Sequence, residues 1–237
     1  MAISDLALPA GVRTHELGNA EQLAERLALD VAQALRDAIA ERGMATLVVS
    51  GGRSPIAFFE YLSGLDLPWS QVVVSLADER WVPVNHATSN EGLVRRHLLR
   101  GPAAEARFVS LYQVANSLEQ AAELADQALA KLPPIDVLVL GMGDDGHTAS
   151  LFPGSPNLAQ ALQPDGTRRC LPMQAPSEPR QRLTLTLPVL ASARLPLLAI
   201  QGQAKLATLN EALGLDDVTR MPVRAFVNAP LAIYWCP

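Results

Sequence analysis

The sequence predicts an α/β protein with a largely parallel sheet covered by helices on both faces. Short apolar runs alternate with amphipathic helical segments along the whole chain. Runs such as Thr46–Val49 read as buried strands, the type that a sheet covered on both faces requires. Three of the strand ends carry glycines or charged residues, and open α/β sheets gather ligands there.

The elements follow in order. Asn19-Ala-Glu-Gln22 forms a capping-box pattern. Leu23, Leu27, Val31, Leu35 and Ile39 then recur at helical spacing, predicting a helix to about Ala40 that Gly43 ends. Thr46–Val49 is a strand. Ser54-Pro55 reads as an N-cap and first-turn proline opening a helix through Leu62. Val72–Leu76 is the next strand, and Ser89 or Asn90 caps a helix containing Leu93, Val94, His97 and Leu98. Ser117-Leu-Glu-Gln120 repeats the capping box ahead of an Ala/Leu-rich helix to Lys131. Pro133-Pro134 punctuates, and Ile135–Leu140 is a strand. Gly154 to Pro179 reads mostly as loop, with a short strand near Cys170. Arg182–Leu187 alternates like a half-buried strand. Leu195–Ile200 is a strand, Ala204–Leu213 a helix and Leu231–Trp235 the last strand.

Composition narrows the class. The chain has 237 residues, of which 49% are apolar and 18% charged, so a sizeable core forms and global disorder is excluded. No linker divides it, and residues 1–237 are read as one domain. Nineteen basic and 24 acidic residues leave a net charge of −5, which argues against a nucleic-acid-binding surface. Cys170 and Cys236 make no disulfide framework and are read as reduced, partly buried thiols. The first residues lack a basic start followed by a long apolar run, and no stretch reaches the ~20 apolar residues that span a bilayer. A cytoplasmic protein without membrane or nucleic-acid partners is expected. The sequence carries no interface signature and is read as a monomer.

Val48-Val-Ser-Gly-Gly-Arg-Ser-Pro55 ends the first of the three strands. Ser50, Gly51, Gly52 and Arg53 let the backbone approach a ligand, and the helix start behind them offers free N–H groups. Phosphate binding and an ordinary strand-to-helix turn both remain open. The spacing is not that of a P-loop. At the second end, Asp78-Glu79-Arg80 follows an apolar strand directly, as a surface charge cluster or as part of a site.

The third end is Val137-Leu-Val-Leu-Gly-Met-Gly-Asp-Asp-Gly-His147. Gly141 to Gly146 fits G-x-G-x-x-G, yet Asp144 and Asp145 stand where a pyrophosphate would lie and would repel it. A dinucleotide cofactor is therefore not expected. A metal site from Asp144, Asp145 and His147 is disfavoured because the other histidines form no ligand motif. A structural histidine in a tight turn is the bland alternative. An aspartate two residues before the histidine instead suits an imidazole oriented by a carboxylate and acting as a general base near neutral pH.

These three segments, with Thr88-Ser-Asn90, Leu140–Pro156 and Arg182–Leu190, resemble the motifs of the 6-phosphogluconolactonases in that family's order, over about Leu23 to Trp235. The family is similar in fold to glucosamine-6-phosphate deaminases, which implies a Rossmann-like domain. The deaminases follow Asp-Gly-His with a run containing a catalytic glutamate. Here the run is His147-Thr-Ala-Ser-Leu-Phe-Pro153, with Phe152 in the glutamate's place, and a phenylalanine exchanges no protons. This departure favours the lactonase.

The resemblance implies hydrolysis of 6-phospho-D-glucono-1,5-lactone to 6-phosphogluconate, in the oxidative pentose phosphate pathway, without metal or cofactor. His147 is expected to activate water, Asp145 to orient it, and Asp78 to contact sugar hydroxyls or the water. The amides of Gly141 to Gly143, or Arg80, are candidates for the oxyanion. By resemblance, Arg182 and Lys205 join the Ser50–Arg53 loop on the phosphate. No G-x-S-x-G elbow supports a serine hydrolase. A non-enzymatic sugar-phosphate sensor is the alternative from another class, disfavoured by the intact Asp-Gly-His and the lack of a helix-turn-helix extension.

Overall fold

A computed structural model of the chain describes residues 2–228 and 230–237. In chain order its elements are β1 (Arg13–Glu16), α1 (Ala20–Arg42), β2 (Ala45–Val49), α2 (Ile56–Ser63), β3 (Val72–Leu76), β4 (Asp78–Arg80), α3 (Asn90–His97), β5 (Arg107–Val109), α4 (Leu118–Leu129), β6 (Val137–Leu140), α5 (Leu158–Ala161), β7 (Cys170–Gln174), β8 (Gln181–Leu185), α6 (Leu187–Ala191), β9 (Leu195–Gln201), α7 (Gln203–Leu213) and β10 (Ala232–Cys236). Seven strands form one sheet in the order β1-β10-β9-β6-β2-β3-β5, and every neighbouring pair is parallel. β2, β3, β6 and β10 are buried at every position, so both faces of the sheet are covered, as the apolar runs require. Among the described residues no helix is long and apolar enough to cross a membrane.

Local signals explain where the long helices begin. Asn19 accepts from the Gln22 N–H, and Ser117 from the Gln120 N–H. The reciprocal arm of each box lands one residue early: Gln22 accepts from Gly18 N and Gln120 from Asn116 N. α1 continues two residues beyond the expected end, where Gly43, in the left-handed region at φ 77°, closes it. α4 stops at Leu129, short of Lys131.

Several expectations need correction. Ser54 does not cap α2: a turn from Arg53 to Ile56 intervenes, Pro55 takes the cap position, and the hydroxyl is left without a helix partner. Ser89, not Asn90, caps α3, accepting from Gly92 N. Gly154–Pro179 contains the short helix α5 as well as β7. The Arg182 strand is not half-buried: β8 is buried from Arg182 to Leu185. It leaves the main sheet to form a three-stranded antiparallel sheet, β4-β8-β7, with Asp78 opposite Thr184 and Arg80 opposite Arg182. β1 and β5 are short edge strands beyond the predicted set. Both cysteines are free and fully buried rather than partly so, and burial pushes the Cys170 thiol up to about 12.

The central pairing of β2 with β6 is fastened at its entry by Asp136. Its backbone N–H donates to the Thr46 carbonyl, and its carboxylate accepts from Thr46 N (2.8 Å) and pairs with Arg42. The side chain is only 6% exposed. Asp136→Ala would leave a strand N–H without its acceptor and a half-buried guanidinium with Glu41 alone. The expected loss is about 2–4 kcal/mol of unfolding free energy by urea titration. A loss below about 0.5 kcal/mol would show that water replaces the carboxylate at no cost.

Candidate active site

The strand order reverses between β2 and β6. From β2 the sheet continues through β3 and β5, and from β6 through β9 and β10. Loops leaving the two central strands therefore diverge, and the crevice between them is the place where such sheets bind ligands. A cleft of about 270 Å³ lies there. It is lined by Ser50, Gly51 and Gly52 after β2, Asp78 and Arg80 after β3, and Gly143 and His147 after β6. Arg182 of β8 and Lys205 of α7 complete the wall. Of the residues expected in the site, Arg53 and Asp145 do not line the cleft. Arg53 is exposed, and Asp145 reaches the cleft through His147.

The histidine is held from four sides. Asp145 Oδ1 lies 2.5 Å from its Nδ1 and accepts from its backbone N–H at 3.1 Å. Its carbonyl accepts from Gly143 N at 2.8 Å, and its ring packs against Phe152 with centroids 4.4 Å apart. A carboxylate only accepts, so a neutral imidazole places its proton on Nδ1 and leaves Nε2 bare. Burial raises the Asp145 carboxyl, but the hydrogen bonds and charge of His147 outweigh it and hold the group below its ordinary value. The Gly143 N–H is spent on the His147 carbonyl, so Gly143 shapes the turn and offers no donor to a ligand.

The acidic strand β4 has two roles. Asp78 accepts from Ser150 Oγ at 2.6 Å. Glu79 points away from solvent, with 0% exposure, and accepts from Arg80 N, Ser89 Oγ, Asn90 N and Glu91 N. Burial pushes the Glu79 carboxyl up to about 7 against these backbone donors, with the Asp78 charge adding to the rise. Glu79 thus ties the start of α3 to the sheet and does not reach the cleft. Arg80 donates to the Thr88 carbonyl at 2.6 Å. Arg182 donates to the Pro179 carbonyl at 2.7 Å and lies over the Phe152 ring. Burial, then the nearby Arg80 charge, lowers the Arg182 pKa.

Asn90, Ser150 and Phe152 belong to this constellation, though the sequence singled out none of them as a site residue. Asn90 is 1% exposed, donates to the Asp78 carbonyl and lines the cleft. Ser50 Oγ, Asn90 Oδ1 and Arg80 Nε are buried polar atoms without a partner among the described residues, and all three residues line the cleft. Their signal in the sequence was adjacency to the quoted motifs, but a serine or asparagine beside a helix start reads first as a cap. Among the described residues no three of His, Cys, Asp and Glu are grouped to hold a metal ion.

Two glycines admit these contacts by close approach. A Cβ on Gly143 would stand 2.0 Å from His147 Nδ1, and one on Gly51 would stand 2.0 Å from Asn90 Oδ1. Gly141 has open space around the same position. Gly143→Ala should therefore shift the His147 imidazole signals in ¹⁵N NMR, while Gly141→Ala leaves them in place. Unmoved signals in Gly143→Ala would show that the turn, not the ring, gives way.

Comparison with known proteins identifies the family. The family model described as glucosamine-6-phosphate isomerases/6-phosphogluconolactonase matches residues 18–235. A 6-phosphogluconolactonase of Pseudomonas aeruginosa is 68% identical over 238 residues, covering 100% of both chains. One of Pseudomonas putida is 62% identical, covering 100% of this chain and 98% of its own. The crystal structure of a 6-phosphogluconolactonase from Shewanella baltica superposes with a TM-score of 0.93 at 36% identity, covering 98% of this chain and 100% of that one. The chain belongs to the glucosamine-6-phosphate isomerase/6-phosphogluconolactonase family, and its place there is with the 6-phosphogluconolactonases.

Proposed function

We propose that this protein is a carboxylic-ester hydrolase that opens 6-phospho-D-glucono-1,5-lactone with water to give 6-phosphogluconate, and that His147 is the general base. The observation that carries the reading is the His147–Asp145 pair at the cleft, with Nδ1 engaged and Nε2 bare. Nε2 takes a proton from water as the oxygen attacks C1. The tetrahedral intermediate collapses, the C1–ring-oxygen bond breaks, and the imidazolium returns the proton to the ring oxygen. The acid formed ionises in water. Asp145 keeps the tautomer and stabilises the imidazolium. Phe152 on the ring supplies an apolar wall and no second acid. Asp78 and Asn90 face the sugar hydroxyls. With the Gly143 amide committed to the His147 carbonyl, Arg80 is the side-chain candidate for the oxyanion.

A feature of the helix starts supports a position for the phosphate. α1, α3 and α4 carry side-chain caps at Asn19, Ser89 and Ser117. α2 and α7 begin at Pro55 and Gly202 without one, and residues at both starts line the cleft. Free N–H groups at a helix start favour an anion. Ser50, Gly51, Gly52 and Ser54 lie before α2, and Lys205 lies in the first turn of α7. The phosphate rests between these two ends, with Arg182 nearby and Arg53 at the rim.

The reading is tested with lactone generated in situ by glucose-6-phosphate dehydrogenase, following its loss above the spontaneous rate with chelator present. His147→Ala should lower kcat about 10²–10⁴-fold with KM little changed. Asp145→Asn should lower kcat by at least about 10-fold because the amide no longer holds the tautomer. No acceleration by the wild-type protein would end the proposal. Lys205→Ala should mainly raise KM, and unchanged kcat and KM would remove Lys205 from the site.

A further inference from the structure

The cations around the cleft are held in different ways. Arg80 and Arg182 donate to the carbonyls of Thr88 and Pro179, and Arg53 is exposed. Among the described residues none of these three meets a carboxylate within 4.0 Å. Lys205 does: its Nζ lies 2.6 Å from Asp144 Oδ1. The lysine side chain is 25% exposed and the aspartate side chain 88%, so this carboxylate stands in water at the rim. The backbone beneath it is fixed. The neighbouring Gly143 N–H donates to the His147 carbonyl at 2.8 Å, and the Gly146 N–H to the Gly143 carbonyl at 3.2 Å. A fixed backbone with a free carboxylate lets the side chain reach Lys205 or leave it without disturbing the histidine loop.

We propose that Asp144 sets the strength of ligand binding: it competes with the phosphate of the substrate for Lys205 and hastens departure of the product. This rests on the lactonase reading, which places the phosphate on Lys205. The lactone carries its charge on the phosphate alone, about −1.5 to −2 at neutral pH. Ring opening adds a carboxylate, so the product is one charge more negative. A pocket with cations and no competitor would hold the product more tightly than the substrate. Asp144 weakens the hold on either ligand, because it recaptures Lys205 as the phosphate lifts away. An ion pair this exposed is weak and screened by salt, so it yields readily to an incoming dianion.

The test compares wild type, Asp144→Asn, Lys205→Met and the double variant, each checked for an unchanged melting temperature. Binding of inorganic phosphate and of 6-phosphogluconate is measured by calorimetry at low and high salt. Asp144→Asn should tighten both about 2–5-fold at low salt and less at high salt. The gain should vanish in the Lys205→Met background. Asp144→Ser serves as a second variant, since it also removes the charge. If Lys205→Met weakens binding but neither Asp144 variant tightens it, the competition is overturned and the phosphate site stands. If Lys205→Met binds both anions as wild type does, the competition and the placement of the phosphate on Lys205 fall together.

Discussion

The parallel pairing of β2 with β6 is the constraint on which the rest depends. Its register sets Leu47 beside Val137 and Val49 beside Val139. Asp136 closes the pair at entry, and the Ser50 N–H donates to the Val139 carbonyl at exit. Beyond that last bond the two chains must part, because β3 lies on one side and β9 on the other. The parting opens the cleft, and it fixes which loops border it. Ser50 and His147 face a common space because the register leaves no other, so the site is a consequence of sheet topology before it is a matter of side chains.

The small antiparallel sheet adds what the main sheet cannot. β3 ends at Leu76, and Ala77 N still donates to Val49. β4 then turns out of the main sheet and pairs with β8, which places Asp78 and Arg182 on the wall of the cleft. Glu79, between Asp78 and Arg80 in the pleat, faces the opposite way and collects three donors at the start of α3 besides the Arg80 N–H. A three-residue strand thus divides its charges by alternation: Asp78 and Arg80 serve the cleft, and Glu79 serves the scaffold.

That division marks how far the sequence could be read. The central strands and long helices were legible because apolar period and caps agree there, as at Leu23–Ile39 and Val72–Leu76. The three loops were legible because glycine and charge directly after an apolar run have few other uses. β4 was not, because Asp-Glu-Arg in isolation reads as a solvated triplet, and only its pairing with β8 buries it. The same holds for β8. Leu183, Leu185 and Leu187 alternate with threonines, the pattern of a strand wet on one face, yet Thr184 is fully buried beside Ser150. Ser54 was misread because a serine before a proline and an apolar run matches a cap in sequence, while the turn at Arg53–Ile56 moves the helix start one residue on. Long-range pairing decided β4 and β8, and local pattern carries no record of it.

The acids at this cleft look unsuited to an anionic ligand until their partners are counted. Asp78 accepts from Ser150, Asp145 from the ring and the backbone of His147, and Glu79 from four donors. Donors already directed at each carboxylate offset its field, and exchanging any of them would break a bond that positions the site. Asp144 differs. Among the described residues its side chain is anchored by Lys205 alone, and it stands in water. On the lactonase reading, the free site therefore separates acids that must stay from one that can give way, and the one that gives way sits on the cation that the ligand needs.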